Sequence, residues 1–433
     1  MLMKHRIRDQ GCDRRGGMSH QGTAARRGRA GKSRRRQDTR EDNMNLKKNA
    51  SGHSRHIYTA IAGLALGLSV TGAQAQTLRF AVGLPETSYN HDAAVAFAEA
   101  VEANSDLKVQ VYAMSLLSLN EMSGGVRDGL ADIGFTLFPY FPAEYSELNL
   151  PANLALLAIS GTEAKWPGPA MIGASMEYIM LHCEDCQTQL KGLNAVYLNG
   201  GASVEYGLVC NKPVQALDDL KGLKVRTGAA DLGRFVEYFG GTRVALSGNE
   251  IYDALSTGNV DCSANQGENL TGLRYIEVAD HFTNMMPGSM FAGIGNANMN
   301  RDAWASLTED QRRAVLNAAA KQPIVSWIIG KERNLDGVKQ FRDAGKNVYE
   351  VTDEDKLRIA EFVAQDLDVV REQFKKEYGL QNVDEKIEVI TGLIEKWKGL
   401  TNQVDTMEVE PFAQLYIDEI MSKVDVTTYG IDG

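Results

Sequence analysis

Leu217 to Asn269 reads LDDLKGLKVRTGAADLGRFVEYFGGTRVALSGNEIYDALSTGNVDCSANQGEN. A short apolar strand, Leu223 to Val225, carries Arg226 to its end, with Thr227 and Gly228 behind it. A helix follows whose turns hold Leu232, Phe235, Val236 and Phe239. This order sets a fixed cation beside a helix N-terminus, where unpaired N–H groups and the macrodipole also favour negative charge. A guanidinium grips a carboxylate through two parallel hydrogen bonds, so the pair makes a socket for an organic acid. The plainer alternative is an ion pair between Arg226 and a nearby acid such as Asp231.

An echo of this segment lies upstream. Glu121 to Asp132 reads EMSGGVRDGLAD, and Glu250 to Asp261 reads EIYDALSTGNVD. Each runs Glu, seven residues, Gly, two residues, Asp, then a strand (Ile133–Leu137 after the first). Physically each is an amphipathic helix stopped by Gly and turned by Asp into a buried strand. Two copies point to two similar lobes; chance likeness of helix-ending signals is the other reading.

Working outward, Leu78–Val82, a helix over Asp92–Ala103, Val109–Ala113 and Ile133–Leu137 give the alternation of a doubly wound parallel sheet. Phe138-Pro-Tyr-Phe-Pro142 leaves a strand end, where open α/β sheets bind ligands. Its aromatics either line a cleft or plug the sheet. A mostly helical passage runs from Ala152 to Gln189, Leu193–Leu198 opens a new strand, and Gly200-Gly201 reads as a hinge. Phe291–Met299 is a returning strand. Thr308-Glu-Asp-Gln311 is a capping box before a long helix, and Thr352 opens another. Helices near Ile387–Leu400 and Pro411–Val424 finish the chain. The fold class expected is α/β, with two mixed sheets flanked by helices, a hinge and extra C-terminal helices. The expected division is lobe I over 76–200 plus 288–330, and lobe II with the C-terminal helices over 201–287 plus 331–433.

The first 43 residues carry 13 Lys and Arg against five Asp and Glu, with no apolar periodicity. Behind them come Met44-Asn-Leu-Lys-Lys, an apolar run over Ile57–Val70, and Ala73-Gln-Ala75 before Gln76. That is the pattern of a secretory signal peptide over 44–75, its apolar run too short to span a bilayer. Met44 is then the expected natural start and 1–43 an over-extended, disordered reading of the frame. Export to the periplasm of a Gram-negative bacterium follows. The whole chain is −10 although its first 75 residues are basic, so the exported body is strongly acidic. This argues against nucleic acid or an anionic membrane surface as partner. An anionic ligand must be won by a local, desolvated cation.

Four of five cysteines lie in the exported body: Cys183, Cys186, Cys210 and Cys262. An even number in an exported chain favours disulfides. Cys183-Glu-Asp-Cys186 reads as a local bridge; no second Cys or His pair completes a zinc site with it. Cys210 and Cys262 each sit at a strand end of the second lobe, so a bridge between them is plausible. No HExxH, G-x-S-x-G, P-loop or placed G-x-G-x-x-G occurs. Histidine is scarce in the exported body, and none of His91, His182 and His281 lies near a Ser or Cys in a recognisable catalytic arrangement. The expectation is therefore no enzyme, no cofactor and no metal.

At LKGLKVRTGAADLGRFVEYFGG followed by EIYDALSTGNVDCSAN, the sequence resembles the solute-binding subunits of tripartite ATP-independent periplasmic (TRAP) transporters. The likeness extends over most of 76–425 and includes GVRDGLADIGF and the LIEKW stretch. It implies a two-lobed type II periplasmic-binding-protein fold. It also implies that Arg226 grips the ligand carboxylate and that Asn265, four residues after Asp261, completes the clamp. Sugar-acid and dicarboxylate binders of that family tend to carry a second arginine about twenty residues upstream, where this chain has Glu205 and Tyr206. A monocarboxylate with an apolar or aromatic body is the ligand this departure implies. Tyr89 and Tyr140 of the first lobe would face Arg226 and Asn265 of the second, with Glu205 and Tyr206 also expected at the ligand. LVC-NKP together with VDC looks like a branch in which the two cysteines recur together, which supports Cys210–Cys262. The partners implied are a small organic acid and the TRAP permease membrane subunits, with the chain a monomer or homodimer. The rival readings are a binding protein of an ABC importer or sensor, or a secreted thiol–disulfide enzyme.

Overall fold

The computed structural model describes residues 76–284 and 290–431. The basic arm, the signal-peptide pattern and the Met44 start lie outside these residues. Eleven described strands form two sheets. They are β1 (Thr77–Ala81), β2 (Lys108–Tyr112), β3 (Ile133–Leu137), β4 (Ala195–Gly201), β5 (Tyr206–Cys210) and β6 (Lys224–Thr227). Then come β7 (Thr242–Ala245), β8 (Cys262–Gln266), β9 (His281–Asn284), β10 (Ile294–Asn300) and β11 (Asn347–Glu350).

The first sheet has the order β2-β1-β3-β10-β4 and the second β11-β9-β5-β8-β6-β7. In the first, β1, β2 and β3 run parallel, as their helical connections require. The fully buried strand β10 then inserts antiparallel between β3 and β4. In the second, β6 is parallel to both β7 and β8, while β5 is antiparallel to β8 and β9. Both sheets are thus mixed. The chain passes from the first sheet to the second between β4 and β5, returns between β9 and β10, and crosses again before β11.

The Glu–Gly–Asp repeat is a structural repeat. Helices Met122–Arg127 and Ile251–Ser256 each end before a glycine with positive φ, Gly129 at 73° and Gly258 at 71°. A side chain would strain that left-handed turn. Each Asp then fastens its strand to a parallel neighbour. Asp132 Oδ2 accepts from Arg79 N at 2.7 Å, and Asp132 N donates to Arg79 O at 3.0 Å. Asp261 does the same with Lys224, at 2.9 and 2.8 Å.

Gly200 and Gly201, expected as a hinge, are the last two residues of β4 and are buried. A Cβ at Gly200 would stand 2.1 Å from the Tyr197 hydroxyl, and one at Gly201 2.7 Å from Asn296 Nδ2. Close packing explains why both are glycine. The chain crosses to the second sheet just after, through Ala202–Glu205.

The helix Glu309–Asp343 runs 35 residues behind the Thr308–Gln311 capping box, with Pro323 inside it. It reaches elements of both sheets. Its Gly330 lies against the Tyr89 ring. Further along, a Cβ at Gly337 would fall 2.2 Å from the Gly267 carbonyl, and Asn334 Oδ1 accepts from Gly267 N at 2.6 Å. This contact fixes the chain immediately after β8. The helix Asp353–Lys376 grips the helix Ala230–Tyr238 through a fork between Arg234 and Asp366, at 2.6 and 2.8 Å. The helix Val383–Thr401 packs on Pro167–Glu177, where Trp397 donates to Glu177 at 2.7 Å and fills the space beside Gly173.

Candidate functional site

Arg226 stands in β6, next to its end, and is 3 % exposed. Its Nε donates to the Leu246 carbonyl at 2.9 Å, and its Nη2 to the Tyr140 hydroxyl at 2.7 Å. Among the described residues no carboxylate lies within ion-pairing distance of it, and Nη1 has no partner. The alternative ion pair with Asp231 is not formed. That carboxyl is pushed up to about 6 by burial, and its charged neighbours are Arg234 and Asp366. A guanidinium has five N–H groups. Two are spent here, which leaves the Nη1/Nη2 edge available for a bidentate acceptor. Gly228 makes this placement possible, since a Cβ there would lie 2.9 Å from Nη2 and 3.0 Å from Phe291. The following helix, Ala230–Tyr238, has Ala229 as its N-cap, which offers no side-chain cap, and carries Asp231 in its first turn.

Tyr140 comes from the single turn Phe138–Tyr140 that leaves β3. Its hydroxyl accepts from Arg226 and from Gly248 N at 2.9 Å, joining the two lobes. Tyr89 opens the helix Tyr89–Asn104 behind the Ser88 cap. Its hydroxyl accepts from Gln266 Nε2 at 2.8 Å, a second link between lobes. Burial first, then the charge of Glu268, pushes the Tyr89 phenol up to about 12, so it stays protonated. Tyr206 begins β5 and stacks on Phe291 with centroids 6.3 Å apart; Tyr140 meets the same ring edge-on. Asn265 lies in β8, where its Oδ1 accepts from Gln266 N at 3.0 Å and from Asn269 Nδ2.

Five of the six expected ligand residues therefore meet. Tyr89, Tyr140, Tyr206, Arg226 and Asn265 line one cavity of about 70 Å³. Glu205 does not line it. Its carboxylate pairs with Lys331 Nζ at 2.6 and 2.8 Å, on a larger cleft of about 910 Å³ beside the helix Glu309–Asp343. The lysines of that cleft are paired, Lys331 with Glu205, Lys339 with Asp343 and Lys356 with Asp353, and Arg342 lines it as well. The polar groups converge instead at Arg226. Gln266, Tyr275 and Phe291 also line the small cavity, and nothing in their local sequence marked them.

Both expected disulfides are present. Cys183–Cys186 closes the start of the helix Glu184–Gly192. Cys210–Cys262 joins directly opposed positions of β5 and β8, with Cα atoms 4.0 Å apart. Among the described residues no cluster of three His, Cys, Asp or Glu is gathered to hold a metal ion. Among them, too, no helix is long and apolar enough to cross a membrane.

The model of the bacterial extracellular solute-binding proteins of family 7, DctP, matches residues 80–377. The chain belongs to this family. A solute-binding protein of Albidiferax ferrireducens is 23 % identical over 342 residues, covering 76 % of this chain and 95 % of that one. The same fold occurs in a TRAP solute-binding protein from Rhodoferax ferrireducens solved with copurified benzoate. The TM-score is 0.63 at 18 % identity, over 75 % of this chain and 99 % of that chain. It occurs again in the sugar acid binding protein DctPAm from Advenella mimigardefordensis, solved with galactonate, with TM-score 0.61 at 19 % identity and the same coverage. Family 7 membership makes this chain a solute-binding receptor with two lobes built on two mixed sheets.

Proposed function

We propose that this chain captures a small organic monocarboxylate in the cavity around Arg226 and delivers it, in the periplasm, to the membrane subunits of a TRAP permease. The observation that carries the reading is Arg226 itself. A buried guanidinium without a protein carboxylate is costly unless an acid completes it. This one presents its open edge to a cavity walled by both lobes. Tyr206, Phe291, Leu119 and Ile294 give that cavity an apolar wall suited to the body of an acid. Among the described residues no second arginine lines it, which is why one carboxylate is proposed rather than two.

The relatives' bound molecules, benzoate and galactonate, are both monocarboxylates. The family match gives no support to a thiol–disulfide enzyme, and Cys183 and Cys186 are buried as well as bridged. A thermal-shift screen against organic acids tests the proposal. An acid at 100 times its Kd stabilises the native protein by about 2.7 kcal/mol. Arg226→Ala is expected to abolish that shift while keeping the disulfides and the far-UV spectrum. A full shift retained by the variant removes Arg226 from the site.

A further inference from the structure

We infer that the captured acid carries, besides its carboxylate, a neutral group that both donates and accepts a hydrogen bond, held between Gln266 and Tyr89. The inference rests on the reading of Arg226 as the carboxylate socket and adds the second half of the ligand. Gln266 is 3 % exposed and ends β8. Its Nε2 is spent on the Tyr89 hydroxyl at 2.8 Å. Its Oε1 is buried without any hydrogen-bond partner. Among the described residues it is the one such orphaned atom on a residue lining the Arg226 cavity. A buried acceptor left empty is expensive, and native proteins fill nearly all of them.

Tyr89 presents the complement. Its oxygen receives Gln266 Nε2. With a donor already on its oxygen, the phenol has its own proton to give, and among the described residues no acceptor takes it in a hydrogen bond. The phenol keeps that proton at any physiological pH. A spare acceptor and a spare donor thus sit on two bonded side chains, one from each lobe, both lining the cavity that holds Arg226. A hydroxyl satisfies both at once. It accepts from Tyr89 and donates to Gln266. A cyclic or secondary amide does so through its C=O and N–H. A keto group answers Tyr89 alone, and a plain hydrocarbon answers neither. Because the two residues come from opposite lobes, the group also fastens the closed form.

The test uses matched acids on the full-length exported protein, by titration calorimetry. The sets are lactate, propionate and pyruvate; mandelate, phenylacetate and benzoylformate; and 5-oxoproline with cyclopentanecarboxylate. In at least one set the hydroxyl or lactam member is expected to bind roughly tenfold or more tighter than the members lacking the donor. Gln266→Leu is expected to drop that acid to the level of its donor-free counterpart, and Tyr89→Phe, which also removes a link between the lobes, to weaken it severalfold more than it weakens the hydrocarbon acid. Equal binding of donor-bearing and donor-free acids, keto acids as good as hydroxy acids, or no binding by any member overturns the inference. Its failure is separable from failure of the carboxylate reading. If all acids bind alike but Arg226→Ala abolishes them, only the second group is wrong. If Arg226→Ala leaves binding intact, the socket itself is wrong.

Discussion

Glu268 lies two residues past β8, is 2 % exposed, and has an Oε2 with no partner. Burial pushes its carboxyl from an ordinary 4.5 to about 7, against the pull of Arg333 and with a further push from Asp92. The folded protein therefore binds this proton more tightly than the unfolded chain does. The stability it contributes is complete below about pH 4.5 and is lost as pH rises through 7. The loss amounts to on the order of 3 kcal/mol across that window. Glu268→Gln is expected to be more stable than the parent at pH 8 and close to it at pH 5, by urea denaturation at both values. A constant difference between the two pH values contradicts the assignment. Residue chemistry was partly legible in the sequence. Arg226 stood out because a strand end, Thr-Gly and a helix start followed one another in a line. Glu205 was misplaced because side chains alternate along extended backbone. Its neighbour Tyr206 turns to Phe291 and the cavity, which sends Glu205 to Lys331. Gln266 and Tyr275 were illegible, since only the meeting of the lobes gives them a role.

At the scale of elements, the readable features were the local ones. The Thr308 capping box and the Gly129 and Gly258 turns depend on residues a few positions apart, and they formed as the sequence implied. The insertion of β10 between β3 and β4 did not show, because its partners lie more than 90 residues away and every residue of the strand is buried. The disulfides give an element-scale prediction. Cys210–Cys262 closes a separation of 52 residues between paired strands, and Cys183–Cys186 one of three. Loop-closure entropy assigns the first about 4 kcal/mol and the second about 2 or less. Double substitution to alanine at 210 and 262 should therefore lower the urea midpoint far more than the same change at 183 and 186. Equal midpoints for the two variants would show that the sheet, not the cross-link, carries this strand pair.

For the whole molecule, the lobes meet through few polar contacts. These include Tyr140 with Arg226 and Gly248, Tyr89 with Gln266, Asn249 with the Gly83 carbonyl, and Thr87 with the Gly272 carbonyl. Such a thin polar interface is expected to open when the cavity is empty, while the helix Glu309–Asp343 keeps both lobes attached. Adding a bound acid should lower the radius of gyration in small-angle scattering. Tyr140→Phe, which removes the acceptor for both Arg226 Nη2 and Gly248 N, should weaken that acid roughly tenfold. A scattering curve unchanged by saturating acid would rule out closure as the signal that a permease reads.

The central claim is that one arginine holds the cargo. A crystal structure with a bound acid measures this most directly. The account predicts its carboxylate on the Nη1/Nη2 edge of Arg226, inside the cavity shared by Tyr140, Tyr206 and Asn265. An acid found instead in the cleft beside Lys331, or in the cavity with its carboxylate turned away from Arg226, contradicts it.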